Sequence, residues 1–336
     1  MSIKIGYHAS HEQFSPKTLL QLAIRARDAG FQSIFSSDHF HPWSEVQRQS
    51  GFSFAWLGAA MQATGLPARV ICCPTFRYHP AIVAQAAATL AEMFDGNFHL
   101  AIGSGQALNE QITGKPWPIK EERNARLQEA AEIIRALWNG ETVTYHGRIT
   151  IESAKLYTRP PKPLLLYGAA LTEETAEWLG SWADGLLTTS REPTEARKMI
   201  DAFHRGGGEG KPLMLKAGIC WADTDEKAEQ EAFQQWKTNA FPSQILTTLR
   251  TPQDLEAAAS HVRPSDMHQS LRISSSAQQH IDWIAQDLEL GFEEIYLHHV
   301  GTNQEAFIEF FAEKVLPEIF QLTAADSRPS DERGAA

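Results

Sequence analysis

The segment SSDHFHPW, residues 36–43, places two histidines, an aspartate, a proline and a tryptophan within eight positions, directly after an apolar run. Imidazole is the side chain that exchanges a proton most readily near neutral pH, and a neighbouring carboxylate fixes its tautomer and raises its basicity. Asp38 and His39 therefore form a candidate proton-transfer pair, with the capping of a loop as the alternative. Trp43 is either the wall of a ligand pocket or a core residue.

Two further segments combine small and polar residues. In GSGQALNE, residues 103–110, bare glycines would let a flat ligand approach the backbone, and Gln106 and Asn109 offer amide donors and acceptors. A simple turn is the alternative. In YGAALTEET, residues 167–175, small residues precede a predicted helix whose free N-terminal amides can bind phosphate, although Glu173 and Glu174 oppose a dianion there.

The pair His298-His299 suggests metal ligation at first sight. Neighbouring side chains on a strand point to opposite faces of the sheet, however, and the sequence shows no HExxH motif or third ligand. We therefore predict no metal site at these two histidines.

Strand-like apolar runs alternate with helix-like amphipathic runs along the chain. This alternation predicts one (β/α)8 TIM barrel over residues 1–323, with an insertion at 221–281 before the last strand and a disordered tail at 324–336. A doubly wound sheet is the alternative, but no glycine fingerprint for a dinucleotide follows the first strand. The predicted strands cover residues 3–7, 31–36, 69–73, 98–102, 164–167, 185–187, 213–220 and 294–297.

The position of the candidate residues relative to these strands carries the functional prediction. Active sites of TIM barrels lie at the C-terminal ends of the strands. SSDHFHPW follows the second predicted strand, GSGQALNE the fourth and YGAALTEET the fifth, while the two adjacent histidines end the eighth. These segments are therefore expected to converge on one mouth of the barrel, where a small-molecule substrate would bind.

Composition narrows the class of protein. The formal net charge is −11 and no long basic run is present, which argues against nucleic acid and anionic membranes as partners. Three scattered cysteines fit a reducing compartment better than a secreted, disulfide-bonded scaffold. No signal peptide is recognisable at the start, and no apolar stretch approaches the ~18 residues that a membrane helix needs. We expect a cytoplasmic protein.

Four motifs stand in one order along the chain: SDHFHPW (37–43), PTFRYHPAIVAQAAATL (74–90), GSGQALNE (103–110) and WADGLLTTS (182–190). Together they resemble the luciferase-like flavin oxidoreductase superfamily and, within it, the branch that contains F420-dependent glucose-6-phosphate dehydrogenase. The opening GYHASHEQFSP, residues 6–16, is similar to a subgroup thought to have reverted from the deazaflavin to an ordinary flavin. The resemblance is close over roughly residues 3–190, and it implies a luciferase-like TIM barrel.

The resemblance implies roles for the matching positions. His39 would be the acid or base that meets the substrate, and Thr189 would face the substrate. Trp43 would be catalytic, by walling the pocket and stabilising a charged intermediate. Gln106 stands at the catalytic position where the dehydrogenases have a glutamate, and an amide cannot exchange protons near neutral pH. The segment 70–71 would form a bulge behind the cofactor ring, often with a cis peptide. The expected cofactor-binding residues are Asp38, Val70, Ile71, Cys73, Asn109, Ala170, Leu171, Thr172 and Thr175.

These roles lead to three functional hypotheses. The first is hydride transfer between FMN and a small organic substrate, with oxygen allowed as a co-substrate. The alternatives are an F420-dependent dehydrogenase and a non-catalytic flavin-binding protein, the latter because of Gln106. Glucose 6-phosphate is disfavoured, because Arg191-Glu192 stands near the first lysine expected for its phosphate. Relatives are often dimers, so a homodimer is expected, and Trp56 and Leu57 either serve that interface or pack within the barrel's own helices.

Overall fold

The computed structural model describes residues 3–326. Its strands in chain order are β1 (Lys4–Ala9), β2 (Ser33–Ser37), β3 (Ala68–Cys72), β4 (Phe98–Ile102), β5 (Val143–His146), β6 (Thr150–Ala154), β7 (Leu166–Ala169), β8 (Gly185–Thr189), β9 (Leu213–Cys220), β10 (Arg272–Ile273) and β11 (Glu294–His299). Eight of them form a closed parallel barrel in the order β1-β2-β3-β4-β7-β8-β9-β11, and β11 pairs with β1 again. The predicted (β/α)8 barrel is confirmed.

Helices follow the barrel strands, and several of them cover the outer face of the barrel. They are α1 (Pro16–Asp28), α2 (Ser53–Thr64), α3 (Pro80–Met93), α4 (Ala107–Glu110), α5 (Lys120–Trp138), α6 (Glu173–Gly180), α7 (Pro193–Phe203), α8 (Asp225–Trp236), α9 (Ser243–Leu246), α10 (Pro252–Ala258), α11 (Ala277–Glu289), α12 (Gln304–Lys314) and α13 (Leu316–Asp326). The start of α1 shows how sequence sets an element. Ser15 Oγ accepts the backbone N–H of Thr18 at 3.2 Å, and Pro16 occupies the first turn, where its missing N–H costs nothing.

Successive side chains of each strand point alternately into the barrel and toward the helices, which divides the core into two layers. Inward-facing side chains fill the middle of the barrel with Phe35, Ala101, Tyr167, Leu187, Met214 and Tyr296. At the N-terminal end, the buried guanidinium of Arg69 donates to both oxygens of Glu294, at 3.0 and 2.7 Å. The outward-facing residues pack against the helices. Packed side chains therefore fill the barrel at the N-terminal ends and the middle of the strands. The C-terminal ends remain for polar side chains.

The segment between β9 and α11 is largely helical and lies beside the C-terminal ends of the strands. It contains α8, α9 and α10, and the short β10 extends the sheet by pairing Arg272 with Ile219 of β9. Trp236, at the end of α8, belongs to a buried cluster that also contains Trp43 and Leu108. The additional segment thus contributes a wall to the mouth of the barrel. The hairpin β5–β6 lies in the connection between α5 and β7.

At the periphery, one open alternative is decided and one expectation needs correction. Trp56 and Leu57 are buried within the chain's own helical layer, and the Trp56 indole N–H donates to the carbonyl of Pro16 at 3.0 Å. They cannot form the face of a dimer without rearrangement, so the dimer stays a prediction without these residues. The expected disordered tail begins too early, because α13 continues to Asp326, and the rest of that tail lies outside the described residues. No helix within residues 3–326 has the length and hydropathy needed to cross a bilayer.

Candidate active site

His39 lies on the loop after β2, and its Nδ1 is hydrogen-bonded to Oε1 of Glu12 on the loop after β1. β1 and β2 are neighbouring parallel strands with Ala9 opposite Ser36, so their two loops leave the barrel side by side. Ser10 Oγ donates to the second oxygen of Glu12 at 3.1 Å. Burial alone would raise the pKa of Glu12, but the charge and hydrogen bond of His39 outweigh it and lower that pKa to about 2.

The protonation of this pair follows from that balance. Glu12 is anionic at neutral pH, so Nδ1 of His39 donates to its Oε1, and Nε2 is the ring nitrogen left for a ligand. Nε2 makes no hydrogen bond to the described part of the chain, and the His39 side chain retains 17% exposure. His39 at the mouth of the barrel is therefore oriented by Glu12 through Nδ1, and its Nε2 is open to a ligand.

Asp38 has a different role from the one predicted from its position beside His39. Its Oδ2 accepts from Arg77 Nη2 at 2.7 Å and from the Tyr78 hydroxyl at 2.8 Å, and its carboxylate is fully buried. Its Oδ1 lies 3.4 Å from the backbone N–H of Ser53. The hypothesis that Asp38 fixes the tautomer of His39 is wrong, because Glu12 does so. Asp38 instead ties the loop after β2 to the segment after β3.

Asn109, expected at the edge of a bound ring, also holds this loop. Its Oδ1 accepts the backbone N–H groups of Phe40 at 2.8 Å and His41 at 3.1 Å. His41 Nδ1 in turn lies 2.7 Å from the carbonyl oxygen of Leu108. The start of α4 thus fixes the backbone next to His39, and the Nδ2 donors of Asn109 remain for a ligand.

A chain of ring contacts runs from His39, on the loop after β2, to His298 of β11 and His8 of β1. Trp43 meets His39 edge to face at 5.1 Å between ring centres, and Trp236 follows Trp43 at 6.3 Å. His298 lies 4.9 Å from Trp236, and His8 lies 4.0 Å from His298. Trp43 is therefore both a core residue and a wall of the mouth, so its two interpretations are compatible. His299 faces away from His298 and stacks on Phe307 at 4.4 Å.

Small residues line the mouth at the ends of β3, β4 and β7. Gly105 has φ +80°, and a Cβ there would stand 2.7 Å from Cys73 Sγ, so only glycine fits. A Cβ at Gly103 would make only an ordinary contact with Ala169, at 3.7 Å. Cys73 is buried, and burial raises the pKa of its thiol. The side chains that meet here are therefore small and closely packed.

The predicted bulge in β3 is absent. Residues 68–72 pair with β2 and β4 without a break in register, and no peptide bond in the described chain is cis. Val70 faces outward into the helical layer, whereas Ile71 faces the barrel interior. Of the two, only Ile71 can present its side chain toward the mouth.

Gln106 and Glu110 are the two residues of this segment that bear on whether the site contains a second acid. Gln106 is partly exposed and begins α4, where its carbonyl oxygen accepts the N–H groups of Asn109 and Glu110, each at 3.1 Å. Glu110 is buried, and burial raises its pKa to about 7 despite the opposing charge of Arg77. Its Oε2 accepts the backbone N–H of Arg77 at 2.9 Å. Glu110 therefore titrates near neutrality, but it is enclosed by protein groups.

The expected phosphate site lies at the start of α6. Thr172 caps this helix by accepting the N–H of Thr175 at 3.3 Å, and the two hydroxyls are 2.9 Å apart. Ala170 is buried, while Leu171 is 46% exposed. The predicted helix start is present, and its first turn carries Glu173 and Glu174.

The end of β8 adds a cation to this side of the mouth. Thr189, expected to face substrate, is partly buried there. Arg191 follows it, donates to Thr188 Oγ1 at 3.2 Å, and makes no ion pair with a carboxylate of the described chain. Burial lowers the pKa of Arg191, with Glu195 and Glu173 opposing that effect. These groups fit an anionic ligand end near α6.

Two residues of the mouth were missed in the sequence. Glu12 belongs to the motif GYHASHEQFSP, but only the pairing of β1 with β2 shows that it reaches His39. Lys216 interrupts the apolar strand LMLKAGIC, and a charged residue within such a run was the available signal. No group of three or more His, Cys, Asp or Glu side chains within the described residues could hold a metal ion.

The fold and this site define a TIM-barrel oxidoreductase with a histidine at the mouth beside small residues. A model of the luciferase-like monooxygenase family matches residues 1–294, and the chain belongs to this family. The chain is 34% identical to an F420-dependent glucose-6-phosphate dehydrogenase of Beutenbergia cavernae, over 94% of this chain and 97% of that protein.

Solved structures show the same architecture. An F420-dependent secondary alcohol dehydrogenase in complex with an F420-acetone adduct has a TM-score of 0.88 and 32% identity, covering 95% of this chain and 99% of its own. The FMN-bound oxygenating constituent of 3,6-diketocamphane monooxygenase from Pseudomonas putida has a TM-score of 0.69 at 14% identity, covering 95% and 99%. The second likeness shows the shared fold alone.

Proposed function

We propose that this chain is an F420-dependent dehydrogenase that transfers a hydride between a small alcohol or its carbonyl form and the deazaflavin ring. The observation that carries the proposal is the Glu12–His39 pair, whose free Nε2 opens into the mouth of the barrel. Relatives that share about a third of this sequence are named as F420-dependent, whereas FMN is named in structures of lower identity. Both support F420 over the FMN first expected.

The residues at the mouth suit a planar cofactor with an anionic tail. Gly103, Gly105, Ala169 and Cys73 form the small-residue surface against which a ring would lie. The start of α6 and Arg191 would hold the phosphate. When bound, F420 supplies a two-electron hydride acceptor. Its reduced form, unlike a reduced flavin, does not react with oxygen. Asp38 would act indirectly, by holding in place the loop after β2 that carries His39.

The protein's own part in the reaction is proton transfer and exclusion of water. In alcohol oxidation, Nε2 of His39 accepts the hydroxyl proton as the carbon loses its hydride, and Glu12 stabilises the imidazolium that results. Trp43 and Trp236 shield this proton from solvent. Gln106 remains neutral and orients the substrate oxygen by hydrogen bonding, so no second titrating group is required.

The test compares the two cofactors on the purified protein. We expect F420 to bind at least about tenfold more tightly than FMN in fluorescence titrations, and a panel of small alcohols to reduce bound F420 without oxygen consumption. Tighter binding of FMN together with oxygen uptake would instead make this chain a flavin monooxygenase. Tight F420 binding without turnover of any alcohol or carbonyl would overturn the dehydrogenase proposal.

A further inference from the structure

Lys216 places an ammonium group at the mouth of the barrel without a counterion. It lies on β9, opposite Thr189 of β8 and Tyr296 of β11. The side chain is partly buried, its Nζ stands 5.9 Å from the centre of the Trp236 ring, and it forms no ion pair or hydrogen bond with the described chain. Burial lowers the pKa of Lys216, while the charge of Glu12 acts in the opposite direction. A cation held this way is costly unless an anion binds it.

Two histidines beside Lys216 add polar groups without partners. Both ring nitrogens of His298 are buried, and neither has a hydrogen-bond partner among the described residues. His8 uses Nε2 toward Ser37 Oγ at 3.2 Å, and its Nδ1 is buried and unpaired within the same part of the chain. Burial, followed by the charge of Lys216 for His298, lowers the pKa of both rings, so they are neutral. A neutral imidazole still offers one N–H donor.

The location of these groups separates them from the surface that suits the cofactor. The small residues and the start of α6 lie at the ends of β3, β4 and β7, whereas the unpaired groups lie on β1, β9 and β11 across the barrel. His39 and Trp43 stand between the two, joined to His298 by the ring contacts through Trp236. A molecule reacting at His39 would therefore have the unpaired groups on its side away from the small residues of β3, β4 and β7.

We propose that Lys216, with His298 and His8, binds a carboxylate of the substrate, so that the substrate is a small hydroxy acid or the corresponding oxo acid. This inference rests on the proposed dehydrogenase function and names its substrate class. A monoanion fits better than a phosphate dianion, because one ammonium faces two neutral rings and the negative charge of Glu12 lies near. Glu12 itself is engaged with His39 and Ser10 and does not neutralise the lysine.

The first test needs no cofactor. Ligand-observed NMR titrations of the cofactor-free protein would compare propionate, its neutral isostere propionamide and inorganic phosphate. We expect propionate to bind about 10- to 100-fold more tightly than the amide, the size of effect that a charge-assisted hydrogen bond gives. Lys216→Met, which keeps the length of the side chain and removes its charge, should abolish that difference.

Lys237→Met is the matched control. Lys237 is also partly buried and also lies over an aromatic ring, 5.4 Å from the centre of Phe233, but it directly follows α8 and is not on a barrel strand. The same substitution there should leave the preference for propionate unchanged. If Arg191→Met abolishes the preference and Lys216→Met does not, the anion binds near α6 and the proposal is overturned.

The second test uses the protein loaded with F420. Hydroxy acids should give a kcat/KM about 10- to 100-fold above their hydroxy amides, and Lys216→Met should lose this ratio while F420 affinity is kept. Equal rates for acids and amides in the unmodified protein, tighter binding of phosphate than of propionate, or a loss of F420 affinity in Lys216→Met would each overturn the proposal. Because the NMR titration is independent of turnover, failure of the dehydrogenase function and failure of the carboxylate site are distinguishable.

Discussion

The two sides of the barrel mouth differ in how their polar groups are paired. On the side of β1 to β4, the carboxylates of Glu12 and Asp38 and the amide oxygen of Asn109 each accept hydrogen bonds from the protein. On β9 and β11, within the described residues, Lys216 Nζ lies over the Trp236 ring without an ion pair or hydrogen bond, and both ring nitrogens of His298 are buried without a partner. The hydrogen bonds that hold the loop of His39 are thus formed before any ligand arrives, whereas these groups on β9 and β11 are left without partners.

This difference separates positioning from recognition. A buried polar group without a partner costs roughly 1–3 kcal/mol, so the fold would be more stable with apolar residues on the side of β9 and β11. The paired side has the opposite property, since its hydrogen bonds stabilise the loops that carry His39. Substitutions on the two sides should therefore change stability and activity in different combinations.

The largest effect is expected at His39, on the paired side. His39→Gln should reduce kcat by ~10²–10⁴, because the substrate loses its proton acceptor, while the Kd for F420 stays nearly the same. His146→Gln is the control, since His146 lies on the exposed β5–β6 hairpin, 2.7 Å from Glu152. A His39 variant that loses the cofactor but keeps its rate per bound cofactor would show that His39 has a structural role.

The isosteric pair Glu12→Gln and Asp38→Asn tests which carboxylate serves His39. Glu12→Gln should reduce kcat by roughly 10² and shift the pH profile of kcat toward lower pH, because the imidazolium loses its anion. Asp38→Asn should instead lower the free energy of unfolding by about 3 kcal/mol, since Arg77 keeps its charge but loses its nearest carboxylate. Urea unfolding and pH–rate profiles measure both. A shifted profile in Asp38→Asn would contradict the assignment.

Glu12 also leaves a signature in the pH dependence of stability. Its folded-state pKa, about 2, lies below the usual 4.5, so it stabilises the native state above pH 4.5, and that contribution disappears as the pH falls toward 2. Unfolding curves of Glu12→Gln should lack this part of the acid dependence, whereas those of Asp38→Asn should retain it.

The smallest effect is expected on the unpaired side, and its sign differs. His298→Phe should raise the free energy of unfolding by about 1 kcal/mol, because two buried nitrogens without partners are removed. Carboxylate affinity should fall at the same time. Ser37→Ala serves as the contrast, since it removes the partner of His8 and should destabilise. A destabilised His298→Phe protein would show that the two sides do not differ in the way described.

Much of this protein was readable from the sequence, because the patterns involved are local. Eight apolar runs separated by amphipathic segments specify strands and helices, and parallel strands with helical connections close into a barrel. The order of the strands then places SSDHFHPW, GSGQALNE and YGAALTEET at one mouth. Gly105 and the cap of α6 at Thr172 were also predictable, since each depends only on its immediate neighbours.

Pairing between distant segments was decided by the tertiary structure. The carboxylate of His39 was expected from the adjacent Asp38, but adjacency on an irregular loop does not direct two side chains at each other. Glu12 reaches the imidazole from 27 residues away because β1 and β2 are neighbours. In the sequence, Lys216 is likewise only a single charged residue within an apolar strand. Only the closed barrel, which sets β9 beside β11 and brings Trp236 over both, shows that this charge has no partner.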